Sequence, residues 1–418
     1  VAFGAMIGWG WVVSSGQWIT SGGVLGTAIG FLIGGLMIYF VGLTYAELTT
    51  AMPKTGGEQH FSFAAFGPLG SFICTWALVL SYAGVVCFEA VSLPTIIQYI
   101  FPGFLKGYLY TIKGFDIYLS WLVVAILTAA FIVYVNIRGT KKAAILQTIL
   151  TVIIAGVGII LTVGSAFTGT FDNVSTQLFV GKNNSSVISN IVKVAIMTPF
   201  FLFGFDVIPQ AAEEIKVPLK KIGRLMLLSI ILAVGFYVMV VLAIGYVMSP
   251  EQMSISMQES GLVTADAMAI AFKSKIMAKV LIIGGLCGIV TSWNSFLIGG
   301  SRVMFSMAKS HMLPQVFSKL HPKYNTPFIS LLLLGVISAI SCLFGRVMLV
   351  WIVNAANFAC CMAYCIVAFS FLILRYKSPE MPRPYKIKAG KLVGIIAILM
   401  SGTMALMYVI PGTNCSLV

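Results

Sequence analysis

The stretch GAMIGWG, Gly4 to Gly10, decides how this chain folds. It places three glycines inside the first apolar segment, and a glycine in a helix interior costs about 1 kcal/mol relative to alanine. The segment is therefore expected to unwind at its centre. Non-helical backbone at membrane depth persists only where protein covers it or a watery cavity takes up its N–H and C=O groups, so a break here implies a cavity at mid-membrane. FFLFGFDVIPQ, ending at Gln210, repeats the pattern, with Gly204, Asp206 and Pro209 interrupting another apolar run. Two interrupted segments at corresponding places point to a binding site between them. Glycine-mediated close packing of helices is the alternative for either stretch taken alone.

Composition sets the environment. Of 418 residues, 59% are hydrophobic and 9% charged, far below the charged fraction of a soluble domain. Windows of about 20 apolar residues give eleven spans, near 2–19, 23–45, 68–100, 117–136, 143–167, 188–211, 224–248, 276–308, 327–345, 347–374 and 392–411. The fold class is an all-α polytopic membrane protein. The longest loop, about 26 residues, is too short for an independent core.

The formal charge of +14 does not indicate nucleic acid, because of where it falls. With the N-terminus inside, eighteen of the 26 Lys and Arg collect in inner loops, among them Lys54, Arg138, Lys141, Lys142, Lys216, Arg302 and Arg375. The positive-inside rule then makes the N-terminus cytoplasmic and an inner cell (plasma) membrane the expected location. The chain begins at Val1 with no basic leader, so no cleavable signal is read and a terminal helix is expected to be missing. All cysteines except Cys415 lie in apolar spans without metal-ligand spacing, which makes them small apolar filler. The three histidines sit in loops.

Within the spans, Glu89 and Asp206 are the ionisable residues that stand out as coupling candidates, since burying an uncompensated charge is costly. Glu89 either works in the site, faces an external vestibule, or is protonated against a neighbouring helix. Asp206 is expected to bond backbone freed by the second break. The outer loop Ser249 to Lys275 is amphipathic and expected to form short helices over the external mouth. Asn173, Asn183 and Asn184 begin N-x-S sequons in another outer loop. An enzyme would need a nucleophile or metal cluster, and neither HExxH nor GxSxG occurs. No catalytic residue is assigned. A channel would not need two broken helices in equivalent places.

GAMIGWG in span 1, YAELTTAMPKTGGEQHFSFAAFG after span 2, NIRGTKK before span 5, FFLFGFDVIPQAAEEIKVP in span 6 and SRVMFSMAKSHMLP after span 8 together resemble the amino acid–polyamine–organocation permeases along the whole chain. The resemblance implies two inverted five-helix repeats, about 1–168 and 185–375, with a peripheral helix at 392–411. It also implies that broken helices 1 and 6 bind the substrate through Met6, Ile7, Gly8, Trp9, Gly10, Phe200, Phe201, Phe203 and Gly204. The Trp9 and Gly10 amides would hold a carboxylate, as the N-terminus of a half-helix does. Carbonyls of Met6, Phe200, Phe201 and Phe203 would hold an amine, with Phe200 as outer gate. Trp9 is bulkier than the residue many relatives carry, so the pocket is narrowed or the indole points away.

Some relatives carry a lysine in span 5, at the position of Ile154 here. In sodium-coupled transporters of the same fold, helices 1 and 8 hold the ion, and the matching donors are Gly4, Ile7, Gly288, Thr291 and Ser292. Thr291 and Ser292 share a helix face with Gly288 by geometry alone, so packing is the other reading. The function implied is secondary transport of a small, neutral amino acid, with sodium as the coupling ion. The alternative is a polyamine or amino-alcohol permease, proton-coupled or exchanging. No other cofactor is expected. Partners are the small-molecule substrate and membrane lipid, with no nucleic acid. Loop Phe101 to Asp116 has no cysteine, so no disulfide-linked subunit is expected.

Overall fold

A computed structural model of the chain describes residues 2–215, 217–345 and 347–409. Lys216 and Cys415, and the last two positions of the span read at 392–411, lie outside them. The chain is helical almost throughout. In order run α1 (Ala2–Met6), α2 (Gly10–Val13), α3 (Ser15–Gly22), α4 (Val24–Ala51) and α5 (Glu58–Ile100). A hairpin of β1 (Tyr108–Ile112) and β2 (Phe115–Tyr118) precedes α6 (Leu119–Ile137), α7 (Thr140–Thr168) and α8 (Phe171–Ser175). Then come α9 (Asn184–Leu202), α10 (Val207–Gln210), α11 (Leu219–Val247), α12 (Pro250–Glu259), α13 (Val263–Phe272) and α14 (Lys275–Lys309). The chain closes with α15 (Phe328–Ser341), α16 (Val347–Lys377) and α17 (Gly390–Met407).

All eleven apolar segments form helices. Among the described residues nine are long and apolar enough to cross a membrane, and the first and ninth are shorter. α5 is continuous only in outline: Gly67 has φ +77°, so Glu58 to Phe66 turns back against the bundle before the spanning part begins at Pro68. The spanning helices carry apolar residues on all faces, as helices between lipid and protein must. Their inward faces combine glycines and alanines with large rings such as Phe31, Tyr82 and Trp293, while leucines such as Leu32, Leu36 and Leu127 are exposed.

The most extensive interfaces join α5 to α16 and to α14, and α4 to α11 and to α9. α12 and α13 are the two short helices expected between Ser249 and Lys275. The hairpin was not read from the sequence. Its turn residues Lys113 and Gly114 both have positive φ, 45° and 84°, the backbone that two-residue hairpin loops demand. The sequons do structural work: Asn183 caps α9 in a capping box, and the Asn173 amide donates to the Tyr246 and Val247 carbonyls at 3.2 and 3.1 Å.

At the end of the bundle rich in Lys and Arg, Glu47 of α4 is fully enclosed. It accepts from Arg375 at 3.0 and 2.5 Å, from Arg383 at 3.1 Å and from the Ile387 amide at 2.8 Å. These bonds strap the segment between α16 and α17 onto α4. A second polar seam at this end joins Arg302 to Glu214 at 2.7 Å, Thr55 to Glu213 at 2.7 Å and Ser306 to Gln59 at 3.2 Å.

Candidate substrate site

Both expected breaks exist. The first apolar segment leaves helical geometry between Met6 and Gly10, and the sixth between Leu202 and Val207. Gly204 takes φ +131°, a conformation that side chains resist. A Cβ on it would also lie 2.9 Å from that of Ala5. The two breaks therefore cross in contact. Asp206 stabilises the second as expected: Oδ1 accepts from the Gly204 amide at 2.7 Å, and Oδ2 accepts from the Tyr82 hydroxyl at 2.8 Å.

The crossing leaves helix ends facing one cavity. The amides opening α2 lack intrahelical acceptors and the carbonyls closing α9 lack intrahelical donors, which gives a partial positive end and a partial negative end. Of the residues that the resemblance assigns to the substrate, Met6, Gly8, Gly10, Phe200, Phe201 and Phe203 line the space, together with Glu89 and Ser292. Ala5, Val85, Phe88, Tyr237 and Phe296 complete it. The cavity is about 20 Å³, room for about one water. It is shut on one side by Phe200, whose ring meets those of Phe88, Phe201 and Phe203 edge-on at 5.5, 5.2 and 5.4 Å. Beyond it, Ser15 and Thr264 bond at 2.6 Å, and the polar seam closes the basic end. This is an occluded conformation.

Glu89 is 2% exposed and turned into the site, not toward an outer vestibule. Its carboxylate accepts from the Ser292 hydroxyl and the Trp9 amide, while Oε2 has no partner among the described residues. The Trp9 side chain does not narrow the cavity. Its ring lies against Gly285 of α14, where a Cβ would be 2.3 Å away, and Ile7 is likewise buried outside the lining. Tyr237 is the lining residue that sequence reading missed. Its hydroxyl donates to the Met6 carbonyl at 3.0 Å, one of the oxygens expected to hold an amine. A tyrosine in the middle of the apolar α11 was the available signal, since a buried hydroxyl needs a partner.

The expected sodium donors are partly gathered. A Cβ on Gly288 would lie 3.2 Å from the Ile7 carbonyl oxygen, so α14 does press against the first break there. The Thr291 hydroxyl donates to the Gly288 carbonyl at 3.0 Å, and Ser292 turns to Glu89. Gly4 faces the Thr151 hydroxyl of α7. Ile154, at the position where some relatives place a lysine, is fully buried.

Comparison with known proteins agrees with this architecture. The amino acid permease family model matches residues 1–417. The chain is 26% identical to the branched-chain amino acid permease BcaP of Bacillus subtilis over 96% of its length and 84% of that protein's. It is 25% identical to the methylthioribose transporter of the same organism, over 98% and 87%, and 24% identical to its serine/threonine exchanger SteT, over 93% and 86%. Those relatives are transporters, not enzymes. With two crossed helix breaks around an occluded cavity and a family match along its whole length, this chain is an integral membrane protein of the amino acid permease family.

Proposed function

We propose that the chain carries a small neutral amino acid across the membrane by alternating access, its two inverted repeats, 1–168 and 185–375, rocking about the central site. The observation that carries this reading is the pair of opposed helix ends around one cavity: amides at the start of α2 for a carboxylate, carbonyls at the end of α9 for an ammonium. One end of each sign suits a zwitterion, whereas a polyamine would leave the amides of α2 without an anion. The basic end is the cytoplasmic one in this reading, with the plasma membrane as location. BcaP and SteT, named for amino acids, support the class; the methylthioribose transporter marks how far the fold's substrates range.

Coupling follows from Glu89. Its carboxylate bonds the Trp9 amide, the group a substrate carboxylate would use. Two anions at one helix end repel each other, so substrate binds with Glu89 protonated, and the proton travels with it. A second reading rests on the approach of Gly288 to the Ile7 carbonyl: a sodium ion held by Gly4, Ile7, Gly288, Thr291 and Ser292, an all-oxygen set suited to a hard cation.

The deciding experiment is uptake into proteoliposomes of labelled neutral amino acids and polyamines, with sodium, potassium or choline outside at fixed pH. Uptake that follows an inward proton gradient, ignores sodium and loses its pH response in Glu89→Gln supports the proton reading. Uptake that requires sodium and loses the requirement in Thr291→Ala establishes the ion site instead. Competition by carboxylate-free amines would replace the amino acid with an amine or amino-alcohol as substrate.

A further inference from the structure

Between the central cavity and the basic end lies a second polar cluster that the transport reading does not use. Asp206 and Glu58 are both fully enclosed, and neither forms an ion pair among the described residues. Tyr82 and Gln210 donate to them, Tyr82 to Asp206 at 2.8 Å and the Gln210 amide to Glu58 Oε2. The cluster is still incompletely bonded. Among the described residues Glu58 Oε1 and Gln210 Oε1 are buried without a hydrogen-bond partner, and the buried hydroxyls of Tyr45 and Tyr364 have only the two carboxylates to turn to. Tyr45 faces Glu58 and Tyr364 faces Asp206, and the two rings meet edge-on at 5.6 Å.

Unsatisfied buried polar groups are rare and expensive, and carboxylates without a counter-charge more so. Packing does not explain the cluster, because apolar residues of similar size would fill the space without this cost. Two enclosed acids without a counter-charge, with a spare oxygen on Glu58 and another on Gln210, call for something that brings positive charge. We propose that Glu58, Asp206, Gln210, Tyr45 and Tyr364 form a second binding site, below the central cavity, for a small monovalent cation. Its ligands are all oxygens, which suit an alkali ion or an ammonium group and disfavour soft metals. The same chemistry arises from two sources: an inorganic ion, or the ammonium of a substrate moving from the central cavity toward the basic end. Either would neutralise the pair while the polar seam beneath it is closed.

The test is thermal unfolding of the purified full chain at constant pH and ionic strength, with choline chloride replaced by sodium, potassium or methylammonium chloride. Binding to the folded state should raise the midpoint by about 2–4 °C. The rise should vanish in Glu58→Gln and in Asp206→Asn, shrink in Tyr45→Phe, which keeps both charges, and persist in Thr291→Ala, which separates this site from the one beside Gly288. A rise with methylammonium alone assigns the site to substrate amines, and one with sodium or potassium assigns it to an inorganic ion. No rise over choline, or a rise that survives both acid substitutions, overturns the proposal.

Discussion

The carboxylate of Glu89 stands where a side chain on Gly8 would have to be: a Cβ on Gly8 would lie 2.2 Å from Glu89 Oε1. The glycine of one helix break and the buried acid of α5 are thus a matched pair, each shaped by the other. Ser292, 3.1 Å from the same point, completes the contact.

Gly8→Ala should therefore cut uptake at least about 10-fold, a loss of roughly 1.4 kcal/mol or more. In the Gly8→Ala, Glu89→Ala double variant the obstruction is gone, and substrate binding measured by equilibrium dialysis should recover part of the loss. Strictly additive losses would show that the two residues do not meet.

The Trp9 indole packs between the first break and α14, away from the cavity. Trp9→Ala should lower stability by about 3–5 kcal/mol, as large-to-small core changes do, and leave the order of substrate preference intact. Phe296→Ala, in the cavity wall, should shift preference toward larger side chains. Competition uptake with an amino acid series reads both outcomes.

Tyr237→Phe removes the donor to the Met6 carbonyl. The freed oxygen lies beside the substrate space, and a hydrogen bond of about 1 kcal/mol corresponds to about a 5-fold change in apparent affinity for amines. The direction is informative. Tighter binding means that the tyrosine competes with the substrate ammonium, and weaker binding that it holds the break in shape.

Removing Glu47 leaves Arg375 and Arg383 beside a buried hole in the strap. Breaking one partner from a buried ion pair costs about 3–5 kcal/mol, so Glu47→Ala should unfold several degrees earlier in a detergent melt. Exchanging the charges cannot rescue it, because the Ile387 amide also donates to this carboxylate.

The helix breaks were legible because the glycines that fall in them, Gly8 and Gly204, are intrinsically poor helix formers and need no neighbour to act, although Gly4 and Pro209, read as part of the same signal, lie inside the short helices α1 and α10. The direction of Trp9 was not, since its rotamer is chosen by the space that Gly285 leaves on another helix. The same holds for Thr291 and Ser292. Spacing puts them on one face of α14, but only the position of Glu89 separates a hydroxyl that closes on its own helix from one that lines the cavity. The hairpin was passed over because its signal, Lys113-Gly114 between short aromatic runs, sits in a loop bounded by spans that dominate any hydropathy window. Glu58 and Tyr45 drew no attention as a pair because they belong to segments 13 positions apart that only the turn at Gly56 and Gly57 folds together.

That hairpin also limits how the molecule can open. Ile117 tucks under Gly345, the Tyr110 hydroxyl donates to the Leu343 carbonyl at 2.7 Å, and the Lys113 ammonium sits 4.5 Å above the Trp351 ring. The connection from α5 to α6 is thereby fastened to the turn between α15 and α16, and α16 is already packed along α5. Those helix ends are thus tied together by an apolar contact, a hydrogen bond and a cation–π contact. In the alternating-access cycle proposed above, this fastened side would move as one body, and a contact such as that of Trp18 with Phe201, held by ring packing alone at 4.7 Å, would be the easier one to part.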